Sequence, residues 1–263
     1  MTDRFGSAWL KINRARRHAD DLDAEIRAYW RTGPVSIRGT GITLTESGGA
    51  GARTFTVNTV RPLPDSIALL VGDAAHNIRS ALDHFAWSAA RDPDRRTMFP
   101  IWGREDAPDA KKWQDKVCQG LRGASPALQA AVLSLQPWPT GSNSQLWYIH
   151  ELDRIDKHRL LISVAAANTG VVFEVAPVLN PAPGLRPPTM PFALATRQWT
   201  PLEAGTVLWH TPEESEPAPD PARFVYDVTF GEPEDLKGRP AVAQLRILAN
   251  YAEVTMQALA VAA

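Results

Sequence analysis

The sequence predicts an α+β fold, a helical bundle of about four long helices with antiparallel β-hairpins packed at one side. Two observations predict it. Apolar residues recur every three or four positions over four long stretches, and they alternate with polar residues over several short ones. A third observation divides these stretches into elements: Gly and Pro fall at their ends rather than inside them.

From Ser7 to Trp30 the stripe Ile12, Ala15, Ala19, Leu22, Ile26 and Trp30 reads as an amphipathic helix closed by Gly33-Pro34. Residues 35–63 then alternate, with Ile42, Leu44, Phe55 and Val57 around the Gly-rich Ser47 to Gly51, so an inserted β-hairpin is expected. A second long helix starts at Pro64-Asp65-Ser66 and stops before Asp92-Pro93, with Ile67, Val71, Ala74, Ile78, Leu82, Phe85 and Ala89 as its stripe. Two short helices are expected near Asp109 to Val117 and Pro126 to Leu135, ahead of the breaker Pro137-Trp138-Pro139.

The next long helix runs from Ser142 to Arg159. Ser142 and Gln145 have capping-box spacing, and Ser144 is an equal candidate for the cap. Residues 160–230 turn to strands. Leu160 to Ala166 and Val171 to Val178 flank Asn168-Thr169-Gly170, a hairpin-turn sequence, and further strands are expected at Phe192 to Trp199, Thr206 to His210 and Phe224 to Phe230. The Pro-rich stretches between them read as loops, because each flank is too short to fold alone. A closing helix spans Ala241 to Ala260.

With 263 residues, 44% hydrophobic and 22% charged, residues 1–263 are expected to bury a core as a single domain. Lys and Arg total 28 against 29 for Asp and Glu, so the net charge of -1 gives no global pull toward nucleic acid or anionic membrane, and phosphate binding needs a local patch. Cys118 is the only cysteine, which excludes an internal disulfide or cysteine-based metal cluster and fits a reducing cytoplasm. Met1 to Lys11 is polar, and no stretch approaches about 18 uninterrupted apolar residues. A cytoplasmic protein without membrane attachment is expected.

Gly72 to Trp87 and Ser142 to Arg159 hold four of the six histidines. On the first, His76, Ser80, Asp83 and Trp87 line up at spacings of four, three and four, beside Asp73, Asn77 and His84, with Arg79 in reach of Asp83. On the second, Tyr148, Leu152, Ile155 and Ile162 form the apolar side. His150, Asp153 and Lys157 make one row, and Trp147, Glu151, Arg154 and His158 another. If these faces meet, three chemistries are open.

One is metal-free phosphodiester cleavage, in which one histidine takes a proton from a ribose 2′-hydroxyl, another protonates the leaving oxygen, and cations neutralise the phosphate. Arg79, His84 and His158 are the candidate catalytic groups. Asn77, Asp83, Trp87, Trp147, Lys157 and Arg159 are candidates for binding substrate. Arg79-Ser-Ala-Leu-Asp-His84 resembles the arginine, four to six residues, histidine motif of the HEPN superfamily. That resemblance implies a helical-bundle, metal-independent ribonuclease or an RNA-binding relative acting as a homodimer. The strings Gly-Asp-Ala-Ala-His-Asn-Ile-Arg-Ser-Ala-Leu-Asp-His and Leu-Asp-Arg-Ile-Asp-Lys-His-Arg are also similar to stretches of uncharacterised bacterial proteins.

The second chemistry uses a divalent transition metal held by Asp73, His76, His150 and Asp153, since Asp73-Ala-Ala-His76 has the spacing of a carboxylate and imidazole sharing an ion. The third is simple binding of a small anionic or aromatic ligand against Trp87, Trp147 and the arginines, without catalysis. Plainer roles stand beside these. Arg79 with Asp83 makes an ordinary helix-surface salt bridge, His76 and His150 are each candidates for a buried histidine, and Lys157 is a surface lysine. His18, among Arg14, Arg16, Arg17, Asp20, Asp21 and Asp23, belongs to a solvated face. No P-loop, GxGxxG, GxSxG or HExxH motif is present.

Overall fold

The computed structural model describes residues 4–40, 54–104, 106–158, 164–175, 190–210 and 223–263. It is an α+β fold of helical-bundle character. Helix α1 (Gly6–Arg31) packs along α2 (Asp65–Ala89), and α5 (Ser144–His158) and α6 (Ala241–Ala260) close the bundle against α2. The stripe that marked α2 is the reason: Ile67, Val71, Ala74, Ile78, Leu82 and Phe85 are all 1% exposed or less, each larger side chain contributing roughly 1.5–3 kcal/mol by leaving water. Ala8, Ala15 and Ala19 of α1 and Ala74, Ala75 and Ala81 of α2 are buried as well. Small side chains at these positions let the two helices approach closely, and Phe5 stacks on Phe85 at their end, 4.6 Å between ring centroids.

Two short helices, α3 (Ala110–Gly120) and α4 (Pro126–Leu133), join α2 to α5. Asp109 caps α3 by accepting the Lys112 backbone N–H, and Ser125 caps α4 by accepting that of Leu128. Neither serine expected to cap α5 does so: Ser144 is its first helical residue, which puts Asn143 at the cap position.

Among the described residues, the strands form two antiparallel sheets of three. In one, β2 (Thr54–Val60) lies between β1 (Val35–Thr40) and β5 (Val207–His210). In the other, β3 (Val164–Val175) lies between β4 (Met190–Pro201) and β6 (Arg223–Phe230). The hairpin turn expected at Asn168-Thr169-Gly170 is not one. β3 runs straight through it, and the register with both neighbours shifts between Asn168 and Gly170. A turn sequence in a central strand can be taken up as a bulge, because ladders on both sides hold the chain extended. Val228 and Phe230 of β6 enter the helical core, and Tyr226 stacks on Trp30, tying sheet to bundle. The Gly-rich stretch at 47–51, residues 211–222 and most of the Pro-rich stretch at 177–191 lie outside the described residues.

Candidate functional site

Helices α2 and α5 run antiparallel, since Gly72 faces Asp156 and, one turn on, His76 faces Asp153. Gly72 leaves room for this contact: a Cβ would overlap the Asp156 carboxylate and force that side chain to move. This crossing brings His76 Nδ1 within 2.9 Å of Asp153 Oδ1 and places Ser80 Oγ 3.3 Å from His76 Nε2. Lys157 Nζ donates to the other carboxylate oxygen of Asp153 at 2.6 Å. Asp153 is buried while His76 stays half-exposed. A carboxylate only accepts, so the neutral imidazole carries its proton on Nδ1 and presents Nε2 as the acceptor for the Ser80 hydroxyl. Asp156 closes the group. Burial, then repulsion from Asp153 and Asp73, pushes its carboxyl above the usual carboxylate range, against the pull of His76 and Lys157.

One turn further along α2 the charge reverses. Arg79 is 5% exposed, and its guanidinium donates to Asp83 Oδ1 at 2.8 Å and to the Phe99 carbonyl at 2.9 Å. The same Asp83 oxygen accepts the Phe99 backbone N–H at 2.9 Å. Both backbone groups of fully buried Phe99 are therefore satisfied by one i to i+4 pair, which clamps the loop after α2 onto the bundle. His150 lies near this clamp, packed beneath Gly103, where a Cβ would fall 2.9 Å from Nε2. Burial, then Arg79 and Lys116, drives its pKa down to about 4, with Asp153 and Glu151 opposing. His150 is neutral at pH 7.

A third setting lies at the end of α2. His84 and the 50%-exposed Trp87 line a cavity of about 290 Å³ with Ser7, Asp83 and Thr97.

The structure thus separates the residues singled out from sequence. Arg79, His84 and His158 do not converge. His84 lies two turns beyond His76 toward one end of the helix pair and His158 lies toward the other, roughly 20 Å apart at about 1.5 Å per residue. Arg79 makes the helix salt bridge with Asp83 that was its plainer reading, and its guanidinium is committed to that clamp. Asp83 and Trp87 border one cavity. Asn77 turns inward, its amide donating to the Asp73 carbonyl of its own helix. Trp147 is a correction. It is 6% exposed in the core, because α5 is covered on more of its circumference than one apolar stripe implies. His18 is likewise buried, held by Arg14 Nε at 3.1 Å, and does not lie on a solvated face. Arg159 and Ile162 lie outside the described residues.

The four metal-ligand candidates do not form one set. His76 and Asp153 meet, but Lys157 holds the second oxygen of Asp153 and His150 faces cations. Among the described residues, no three His, Cys, Asp or Glu side chains are arranged to hold a metal ion. Also among them, no helix is long and apolar enough to cross a membrane.

Sequence reading placed Ser80 on the polar face without giving it a role, and it missed Asp156 and Lys116. The i to i+4 spacing of His76 and Ser80 was the available signal for the first. Nothing local marks the other two. Compared with known protein families, curated proteins and solved structures, the chain matches none.

Proposed function

We propose that the protein is a metal-independent enzyme that cleaves RNA at the ribose 2′-hydroxyl, with His76 as the general base. The observation that carries this reading is the buried Asp153 carboxylate on His76 Nδ1, which orients the ring and leaves Nε2 as the nitrogen that accepts a proton. Ser80 Oγ, at a long 3.3 Å from Nε2, marks where a substrate hydroxyl approaches the same nitrogen. His76 takes the 2′-proton, the oxygen attacks phosphorus to give a 2′,3′-cyclic phosphate, and the departing 5′-oxygen receives a proton from water. Lys157, half-exposed beside the base, offsets charge on the phosphate. The base thereby moves from His84 and His158, the sequence candidates, to His76. A homodimer belongs to the same proposal through the HEPN resemblance.

A second reading follows from the same contact, with Ser80 as the nucleophile of an ester hydrolase. It asks for oxyanion donors beside Ser80, whose own backbone N–H points along a helix interior. An assay of labelled RNA in EDTA separates the two. Cleavage is expected to fall by about 10²- to 10⁴-fold in His76→Ala and to survive in Ser80→Ala. An inert wild type, or cleavage untouched by His76→Ala, overturns the proposal. Labelling of Ser80 by a fluorophosphonate, with RNA left intact, favours the hydrolase.

A further inference from the structure

The loop clamped at Phe99 also runs from Arg95 to Pro100 against the end of α3, and the two border a separate cavity of about 190 Å³ that opens to solvent. Arg95, Arg96, Lys116 and Gln119 supply its polar lining, with Met98 and Pro100 as apolar wall. Gly120 lets the loop lie this close, since a Cβ there would press on the Met98 carbonyl, and its own carbonyl accepts the Met98 N–H at 3.3 Å. Three cationic residues line this space and no carboxylate does. Asp94, the nearest acid on the loop, is occupied: one oxygen accepts the Arg96 backbone N–H at 2.8 Å and the other pairs with Arg122 at 3.2 Å. Among the described residues, the side chains of Arg95, Arg96 and Lys116 make no ion pair.

The C-terminal end of α3 accounts for one positive charge by its helix dipole, but not for three. Behind them Arg79 adds a buried fourth, whose Nη1 has no hydrogen-bond partner. Lys116 is half-buried, and burial together with Arg79 pushes its pKa down with no acid opposing. A cavity that gathers three cationic residues, of which Arg96 alone is partly offset, by Asp94, is complementary to an anion. Its volume is below the roughly 300–1,000 Å³ of pockets that enclose drug-sized ligands, which suits a compact group.

We infer that this cavity binds a phosphate monoester dianion or free phosphate, with Arg95, Arg96 and Lys116 on its oxygens and the Gln119 amide donating beside them. The inference does not require RNA cleavage at His76. The same loop contributes Thr97 to the cavity beside Trp87, so the phosphorylated end of an oligonucleotide is one source of the group and free phosphate the other.

Calorimetric titration of the full chain with inorganic phosphate tests it. Oligonucleotide arms use His76→Ala protein, so that cleavage cannot intervene. Saturable phosphate binding is expected, weakened at least about tenfold in the double variant Arg95→Gln, Lys116→Gln. It is expected to be unchanged in Lys112→Gln, whose ammonium pairs with Asp109 instead. A short RNA bound at least about tenfold more tightly with a 5′-phosphate than with a 5′-hydroxyl assigns the group to a nucleic-acid end, and equal binding of the two assigns it to free phosphate. The His150 NMR titration should move upward when phosphate binds, because the anion offsets the cations that depress it. Absence of saturation by phosphate and by the 5′-phosphorylated RNA, or binding indifferent to the double variant, overturns the inference.

Discussion

Across the α2–α5 pair, His76 rests against the buried carboxylate of Asp153, whereas His150, one turn before Asp153 on α5, faces Arg79 and Lys116. Both residues are helical histidines within reach of the same aspartate, and sequence treated them alike, as paired metal ligands or buried structural groups. A displacement of one helical turn gives one a proton-accepting nitrogen at a half-exposed surface and leaves the other uncharged below a glycine. The difference comes from the partner elements. His76 is met by the Asp153 and Asp156 carboxylates of α5, while the neighbourhood of His150 is completed by α3, which brings a cation, Lys116, and by the loop after α2.

Acid is expected to separate the two most strongly. The folded pKa of His150, about 4, lies below the ordinary value of 6.5, so the folded state binds fewer protons and its stability falls as pH drops from about 6.5 toward 4. The loss attributable to this residue reaches up to about 3 kcal/mol. Urea denaturation across that range should therefore give a flatter profile for His150→Gln than for wild type, and parallel profiles would break the contrast. Asp153→Asn follows in size. It removes charge-assisted hydrogen bonds to His76 and Lys157 and should cost about 2 kcal/mol at pH 7. It should also lower the His150 titration further, since Asp153 holds it up, which NMR reads directly. The smallest effect has the opposite sign. The fold raises the Asp156 pKa through burial and the repulsion of Asp153 and Asp73, so Asp156→Asn, which removes that carboxylate, should slightly stabilise the protein at pH 7, read by urea denaturation. Destabilisation at pH 7 would show that its packing against Gly72 outweighs the repulsion.

Helices were legible where a strong stripe met clear end signals. Ala241–Ala260 is observed at its expected bounds, and α1 and α2 begin within about one residue of theirs, because burial of one face and the termini act locally. The Asn168-Thr169-Gly170 turn misled for the reason that local turn preference competes with two flanking strands, which sequence does not display. The site divides in the same way. The shared face of His76 and Ser80 follows from a spacing of four on one helix, and the Arg79–Asp83 bridge from the same rule. That Phe99 completes this bridge, that Trp147 is buried, and that Lys116 reaches the surroundings of His150 are long-range facts with no local signature.

By itself, then, the sequence determined which residues share a helix face, since 3.6 residues per turn is a property of the backbone alone. Which face each histidine meets, and so which charges surround it, was decided only by tertiary structure. Electrostatic environment depends on the charges and burial that other elements bring within a few ångströms, and those neighbours lie far away along the chain.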